Sequence, residues 1–188
     1  MIDSPFVVKF HDFRVIRNAE ASIAYIIEEF IDGEELKAFT DIGKIYLASE
    51  LETFLDQMLQ GLESCWKRQI VHRDIKPANI MIRRDGSPVI IDFGLSRHLD
   101  LSSLTSTDHS GMGTGPFAPP ELLQYSKHDI DGKTDLYSLG ITSYIMATGR
   151  HPYTDGTKKY PTTIAEMREY VPIAPHDLNP AIPLGLSR

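Results

Sequence analysis

The stretch Val71-His72-Arg73-Asp74-Ile75-Lys76-Pro77-Ala78-Asn79-Ile80 holds a carboxylate, a cation and an amide within six residues. Asp74 is its only carboxylate; Lys76 follows two residues on and Asn79 five. A carboxylate that can take a hydroxyl proton, a cation for a phosphate and an amide oxygen for a metal are what phosphoryl transfer requires. By spacing alone, a polar turn between a helix and a strand accounts for these residues equally well. A second candidate is Asp92, which follows Pro88-Val89-Ile90-Ile91 and precedes Phe93-Gly94. A carboxylate at the end of a buried strand, beside a conformationally free glycine, is well placed for a divalent cation. With Asn79 it would give two oxygen ligands; taken alone, Asp92 also reads as an ordinary turn aspartate.

These residues need elements that hold them. Ile70-Val71 and Ile80-Met81-Ile82 flank the first motif and anchor both its ends in a core. Pro77 stiffens the turn and disfavours helix at Lys76. Upstream, Leu51, Leu55, Met58, Leu59, Leu62 and Trp66 recur at three- and four-residue spacing, predicting a helix from about Leu47 to Lys67 with one buried stripe. Ser49 and Glu52 have capping-box spacing at its start. Two β-rich runs, 6–16 and 23–31, predict a hairpin; the second is nearly continuous in apolar character and is expected to be buried. A short helix is expected at Leu36–Phe39, closed by Gly43. Arg83–Ser87 reads as a hairpin turn between Ile80–Ile82 and Pro88–Ile91. A second strong helix is expected over Thr134–Thr148, stopped by Gly149, and a weaker one near Ile164–Tyr170. Between Leu95 and Pro120 regular pattern vanishes, which marks a functional or disordered loop.

The chain has 188 residues, 41% of them hydrophobic, with a net charge of −7. A single domain, or one domain and part of another, is expected. The charge argues against a surface that coats nucleic acid or an anionic membrane. Lys67, Arg68, Arg73, Lys76, Arg83 and Arg84 cluster around the first motif, where a positive field would suit a phosphate-rich ligand; a solvated basic face is the alternative. The one cysteine, Cys65, allows no intrachain disulfide and reads as a buried small residue. No apolar run reaches the roughly 20 residues of a membrane span, and the first residues do not read as a signal peptide. A cytoplasmic, reducing location is expected.

Taken together, the motifs closely resemble the eukaryotic-type (Hanks-type) protein serine/threonine kinase family. His72 to Asn79 matches its catalytic loop, Asp92-Phe93-Gly94 its metal motif, and Gly113-Thr114 with Pro119-Pro120-Glu121 the end of its activation segment. Asp135-Leu136-Tyr137-Ser138-Leu139-Gly140 is similar to the start of its central helix. The resemblance implies an α+β, kinase-like fold: residues 1–31 as a remnant of the N-lobe sheet, one hairpin and the hinge, and 32–188 as a mostly helical C-lobe. It implies ATP and Mg2+ as cofactors and a protein serine or threonine as substrate, with no nucleic acid. Asp74 would orient the substrate hydroxyl, Lys76 would hold the transferring phosphate, and Asn79 and Asp92 would bind magnesium. Glu29 and Ile31 would meet the adenine edge, with Glu28 at the gatekeeper place. Glu35 would contact the ribose and Met81 would form the floor under adenine. Thr114 would lie near the catalytic acid, and Asp135 would tie the central helix to the catalytic loop. Arg73 would pair with a phosphate on the activation segment, for which Ser102, Ser103, Thr105, Ser106 and Thr107 are candidates.

The sequence also departs from the pattern. It contains no glycine-rich phosphate loop, no strand lysine of the Val-Ala-Ile-Lys type and no helix glutamate to pair with it, so the resemblance implies a catalytic domain truncated at both ends. Gly111–Gly115 mimics a phosphate loop but follows no strand and opens no helix. Ala78 stands where many kinases that prefer basic peptides carry an acid. Pro119-Pro120-Glu121 varies the usual Ala-Pro-Glu. Two competing readings are a catalytically weak or inactive kinase-like binding fragment and a small-molecule phosphotransferase of kinase-like fold.

Overall fold

The computed structural model describes residues 2–17, 22–93, 97–98, 115–123, 130–153 and 170–187. Two long helices form its centre. The first, α2 (Ala48–Trp66), turns Leu51, Phe54, Met58, Leu62 and Cys65 inward at three- and four-residue spacing. Leu59, expected in that stripe, lies on its exposed flank. Burial pushes the Cys65 thiol up to about 12, so this cysteine is a packed small residue. The other helix, α4 (Gly132–Thr148), packs against α2. Its buried face carries Ser138, Thr142, Ser143 and Thr148 as well as Leu139 and Met146. The Thr142, Ser143 and Thr148 hydroxyls each donate to the carbonyl four residues back, at 2.7–3.0 Å, and that of Ser138 donates to Phe117 O at 2.9 Å. A polar helix face can therefore be buried without orphaned donors.

The ends of the helices follow from local chemistry. Asp131 caps α4 by accepting the Lys133 N–H at 2.7 Å, and Gly149 closes it at φ 68°. The start of α2 differs from the expected Ser49–Glu52 box: the cap lies two residues earlier, at Leu47, and the Glu50 carboxylate accepts the Leu47 N–H at 2.7 Å. Leu47 has no side-chain acceptor, so only half of a capping box forms. The short helix α1 (Leu36–Asp41) precedes it and buries Leu36.

A three-stranded antiparallel sheet, β3 (Gly33–Glu35), β5 (Ile80–Arg83) and β6 (Pro88–Ile90), lies against α2. The chain start joins it: Val8 N–H donates to Ile90 O and Ile90 N–H to Phe6 O, each at 2.9 Å. Residues 6–8, expected in the first hairpin strand, are thus spent on β6, and β1 begins at Phe10. Two-residue strands β4 (Ile70–Val71) and β7 (Arg97–His98) pair just before the turn that carries Asp74. At the far side, α3 (Pro120–Leu123) and α5 (Pro175–Leu178) flank α4. Asn179 ties the last segment to α4 through a 2.9 Å bond to Ala147 O. The helix expected near 164–170 lies outside the described residues but for its last position. No described helix is long and apolar enough to cross a membrane.

The hairpin of β1 (Phe10–Arg17) and β2 (Ser22–Glu28) forms as expected, yet its second strand is not buried. Phe13 and Ile26 face one side, Ile16, Ile23 and Ile27 the other, and all are exposed. The apolar run is that of a strand covered on both faces, but nothing among the described residues covers it.

Gly33 sits where a Cβ would overlap the Ile82 carbonyl oxygen across the β3–β5 ladder. Gly33→Ala is expected to destabilise the fold by about 1–3 kcal/mol, read as a lower urea midpoint. Gly149→Ala, strained by φ 68° but placing its Cβ only in ordinary van der Waals contact with Ile45 and Gly43, should cost less, about 1 kcal/mol.

Candidate functional site

The turn between β4 and β5 is built over one buried carboxylate. Asp135, in the first turn of α4, is fully buried. Its Oδ2 accepts the Trp66 Nε1–H at 2.9 Å and the His72 N–H at 3.1 Å, and its Oδ1 accepts the Arg73 N–H at 2.8 Å. The Trp66 ring lies against Gly132, where a Cβ would come within 3.0 Å of it. Burial pushes the Asp135 carboxyl above the usual carboxylate range, while the three donors pull the other way. Arg73 takes φ 68°, an unfavourable conformation for a side-chain-bearing residue. The bond from its N–H to Asp135 helps hold it there.

His72 is the second strut. Its ring is fully buried, edge-on to Phe93 with centroids 4.7 Å apart. The Asp74 N–H points to Nδ1 at 3.3 Å, which assigns the proton to Nε2, and Nε2 donates to Ile91 O at 2.9 Å. One ring thus links the candidate base to the residue before Asp92. Burial holds the His72 pKa below its ordinary value, so the ring is neutral.

Asp74, Lys76 and Asn79 meet. Asp74 Oδ2 accepts from Lys76 Nζ at 2.7 Å and from Asn79 Nδ2 at 2.9 Å; Nδ2 also donates to Asp74 O at 2.8 Å. Asn79 lies in a 3-10 turn opened by Pro77, which explains its inward aim. Its carbonyl accepts the Ile91 N–H at 3.0 Å, placing Asn79 beside the strand end that carries Asp92. Asn79 is only 5% exposed, and its Oδ1 accepts no hydrogen bond among the described residues. A buried amide oxygen without a donor suits a cation. Asp92 adopts φ 59°, again a conformation that side chains resist.

Asp92 lines a cleft of about 440 Å3 with Glu28, Glu29, Ile31, Met81 and Val8. Met81 enters it from β5 beside Val89 and Ile31. Glu29 is held by Arg83 at 3.1 Å, and its N–H donates to Lys9 O at 2.8 Å. Glu35 caps α1 and pairs with Met81 across β3–β5, but its side chain is exposed and is not among the cleft-lining residues. Glu28 has its pKa raised by burial and then by the Asp92 charge, so two acids share the cleft. Thr114, Ser102, Ser103, Thr105, Ser106 and Thr107 lie outside the described residues. Beyond them, Glu121 accepts from the Thr134 hydroxyl at 2.8 Å.

Three partners escaped sequence reasoning. The sequence puts the Trp66 indole in the apolar stripe, the His72 ring in the motif and Glu28 at the gatekeeper place, but gives none of the three its partner. Only the first had a usable signal: an indole at the end of a buried helix needs an acceptor.

The family model for the protein kinase domain matches residues 1–183. A probable serine/threonine-protein kinase of Streptomyces coelicolor is 33% identical over 96% of the chain and 26% of its own length. The serine/threonine-protein kinase PknA of Mycobacterium tuberculosis is 32% identical over 97% of the chain and 42% of its own length. A probable serine/threonine-protein kinase of Clostridium acetobutylicum is 34% identical over 90% and 25%, respectively. The chain thus spans a quarter to two fifths of these relatives' length.

Two outcomes test the lattice. Asp135→Asn replaces an acceptor with a donor facing three N–H groups and should cost about 1–3 kcal/mol. His72 and His151 both have pKa values lowered by burial from 6.5. The unfolded chain binds their protons first, so their stabilising contribution is complete above pH 6.5 and is lost as pH falls through the folded values. Urea unfolding should show stability flat above about pH 7 and declining as pH drops below about 6.5, and His72→Gln should flatten that decline.

Proposed function

The chain belongs to the protein kinase family, and on that premise we propose that it is the catalytic core of a protein serine/threonine kinase. It would transfer the γ-phosphoryl of Mg-ATP to a protein serine or threonine hydroxyl. The observation that carries this reading is the joint hold of Lys76 and Asn79 on Asp74 Oδ2, at 2.7 and 2.9 Å. Phosphoryl transfer asks the protein mainly for positioning and charge. Asp74, fixed by two donors, would accept the hydrogen bond of the incoming hydroxyl and take its proton. Lys76 would stay within reach of both the acid and the transferring phosphate.

Protein kinases as a family use ATP with magnesium. The Asn79 Oδ1, buried and without a donor among the described residues, fits a metal ligand, with Asp92 as the charged partner. Magnesium bound there would neutralise phosphate charge. Met81, Val8 and Ile31 would cover the faces of the adenine, and the backbone of Glu29 and Ile31 would meet its edge. Glu35 would contact the ribose from the cleft rim. The assignments of Met81, Val8, Ile31 and Glu29 rest on the cleft lining and on the motif match, that of Glu35 on the motif match alone.

Arg73 would pair with a phosphate on Ser102, Ser103, Thr105, Ser106 or Thr107, and Thr114 would approach Asp74. The Asp135 bond to the Arg73 N–H supports a fixed orientation for that arginine. We place the protein in the cytoplasm, with ATP and a protein substrate as partners.

Asp74→Asn should lower radiolabelled phosphate incorporation by about 100-fold or more; equal incorporation in both proteins refutes catalysis at this site. Mass spectrometry of the active protein should find phosphate on the 102–107 segment, and full activity of unmodified protein would exclude that control.

A further inference from the structure

Beside Lys76 lies a groove of about 360 Å3 that the reaction chemistry leaves unexplained. Pro77, Ala78, Pro116, Phe117, Ile145 and His151 line it. Resting on the kinase reading above, we propose that this groove is the subsite for an uncharged apolar side chain of the protein substrate. That side chain would stand close in sequence to the hydroxyl that is phosphorylated.

Position fixes the occupant. Lys76 lines the groove and its Nζ bonds Asp74 at 2.7 Å. Whatever fills the groove therefore lies within a side chain's reach of the acid. A substrate that presents its hydroxyl to Asp74 must run past this opening.

Chemistry fixes the kind of side chain. Among the described residues lining the groove, the one carboxylate is Asp41, and it is paired with Lys37 one helical turn away. A lysine or arginine entering here would shed water and find no unpaired acid. Lys76 is engaged by Asp74, so an acidic residue would compete with the catalytic contact. An apolar side chain loses nothing and covers Pro77, Ala78, Phe117 and Ile145.

The walls are also held in place. His151 donates from Nε2 to Pro116 O at 2.8 Å and accepts the Tyr153 N–H on Nδ1 at 3.2 Å. Its ring stands edge-on to Phe117 at 5.8 Å. The Ser138 hydroxyl donates to Phe117 O at 2.9 Å. Both anchors come from α4 and the segment that follows it, so the groove needs no induced closure to exist.

The test separates binding from turnover. Short peptides carrying alanine at the acceptor position are titrated against the full-length protein by fluorescence anisotropy. Leucine, arginine, glutamate and glycine are placed in turn at each neighbouring position. Leucine at one position should tighten binding about tenfold over glycine and arginine. Ala78→Glu, alone and with Ile145→Glu, should move the preference at that same position to arginine. Both replaced side chains are only half-buried, and an unchanged melting temperature confirms folding. A flat profile at every position, a preference for arginine in the unsubstituted protein, or no shift in either variant overturns the proposal. The matching serine peptides are then assayed with radiolabelled ATP. The leucine preference without turnover would support the subsite and count against the kinase reading.

Discussion

The turn that carries Asp74 depends on a charge with no access to water. Asp135 is buried at the start of α4, and the donors that satisfy it come from the end of α2 and from the turn itself. A lone carboxylate in such a place would cost several kcal/mol. Three N–H donors offset that cost, and two of them are backbone groups of His72 and Arg73. The geometry of the turn is therefore the condition under which the charge can stay buried. Arg73 keeps φ 68° because relaxing it would withdraw a donor from Asp135. Two helices that would otherwise meet through apolar packing alone are joined by one residue to the loop that carries Asp74.

A second polar chain runs from that loop to Asp92. The neutral His72 ring bridges the Asp74 N–H and Ile91 O, and the Asn79 carbonyl takes the Ile91 N–H. Two segments about twenty residues apart in sequence are thus held in register by a ring and a backbone bond. Such networks are stabilising only when complete. Within this one, the Asn79 Oδ1 accepts no hydrogen bond among the described residues, and it is the atom that the proposed chemistry needs for a cation.

How much of this was legible in the sequence varied with the kind of interaction. Helices α2 and α4 and the β5–β6 hairpin follow from apolar spacing and turn residues, and the kinase-like α+β class follows from the motif order. The failures are those of tertiary choice. The 6–16 run is uniformly strand-like, but residues 6–8 serve β6 and β1 begins later. The start of α2 offered two acids at capping distance, and Glu50 took the Leu47 N–H instead of Glu52 completing a box with Ser49. Ile23 to Ile27 read as buried because continuous apolar character encodes a two-sided cover, whatever supplies that cover. At the site, Asp74, Asn79 and Asp92 were visible as motif letters. Glu28 was not visible as an acid of the cleft, because its importance lies in its nearness to Asp92 and not in any local pattern.

That nearness bears on how the cleft would work. Glu28 and Asp92 share one partly desolvated space, and Glu28 is made harder to ionise by burial first and by the Asp92 charge second. Phosphate oxygens brought into this space without a cation would meet acids on two sides. A divalent ion held by Asn79 and Asp92, as proposed, would oppose that field and lower the cost of ionising Glu28. Nucleotide and metal would then be admitted together: the apolar faces of Met81, Val8 and Ile31 would favour the base, while the acids would disfavour its phosphates without the metal. The basic residues that flank the turn do not change this balance within the cleft, since Lys76 is engaged by Asp74 and Arg83 by Glu29. Metal dependence in this arrangement is thus a property of the cleft as a whole, set by an acid at the end of β2 as much as by the two residues that would touch the ion.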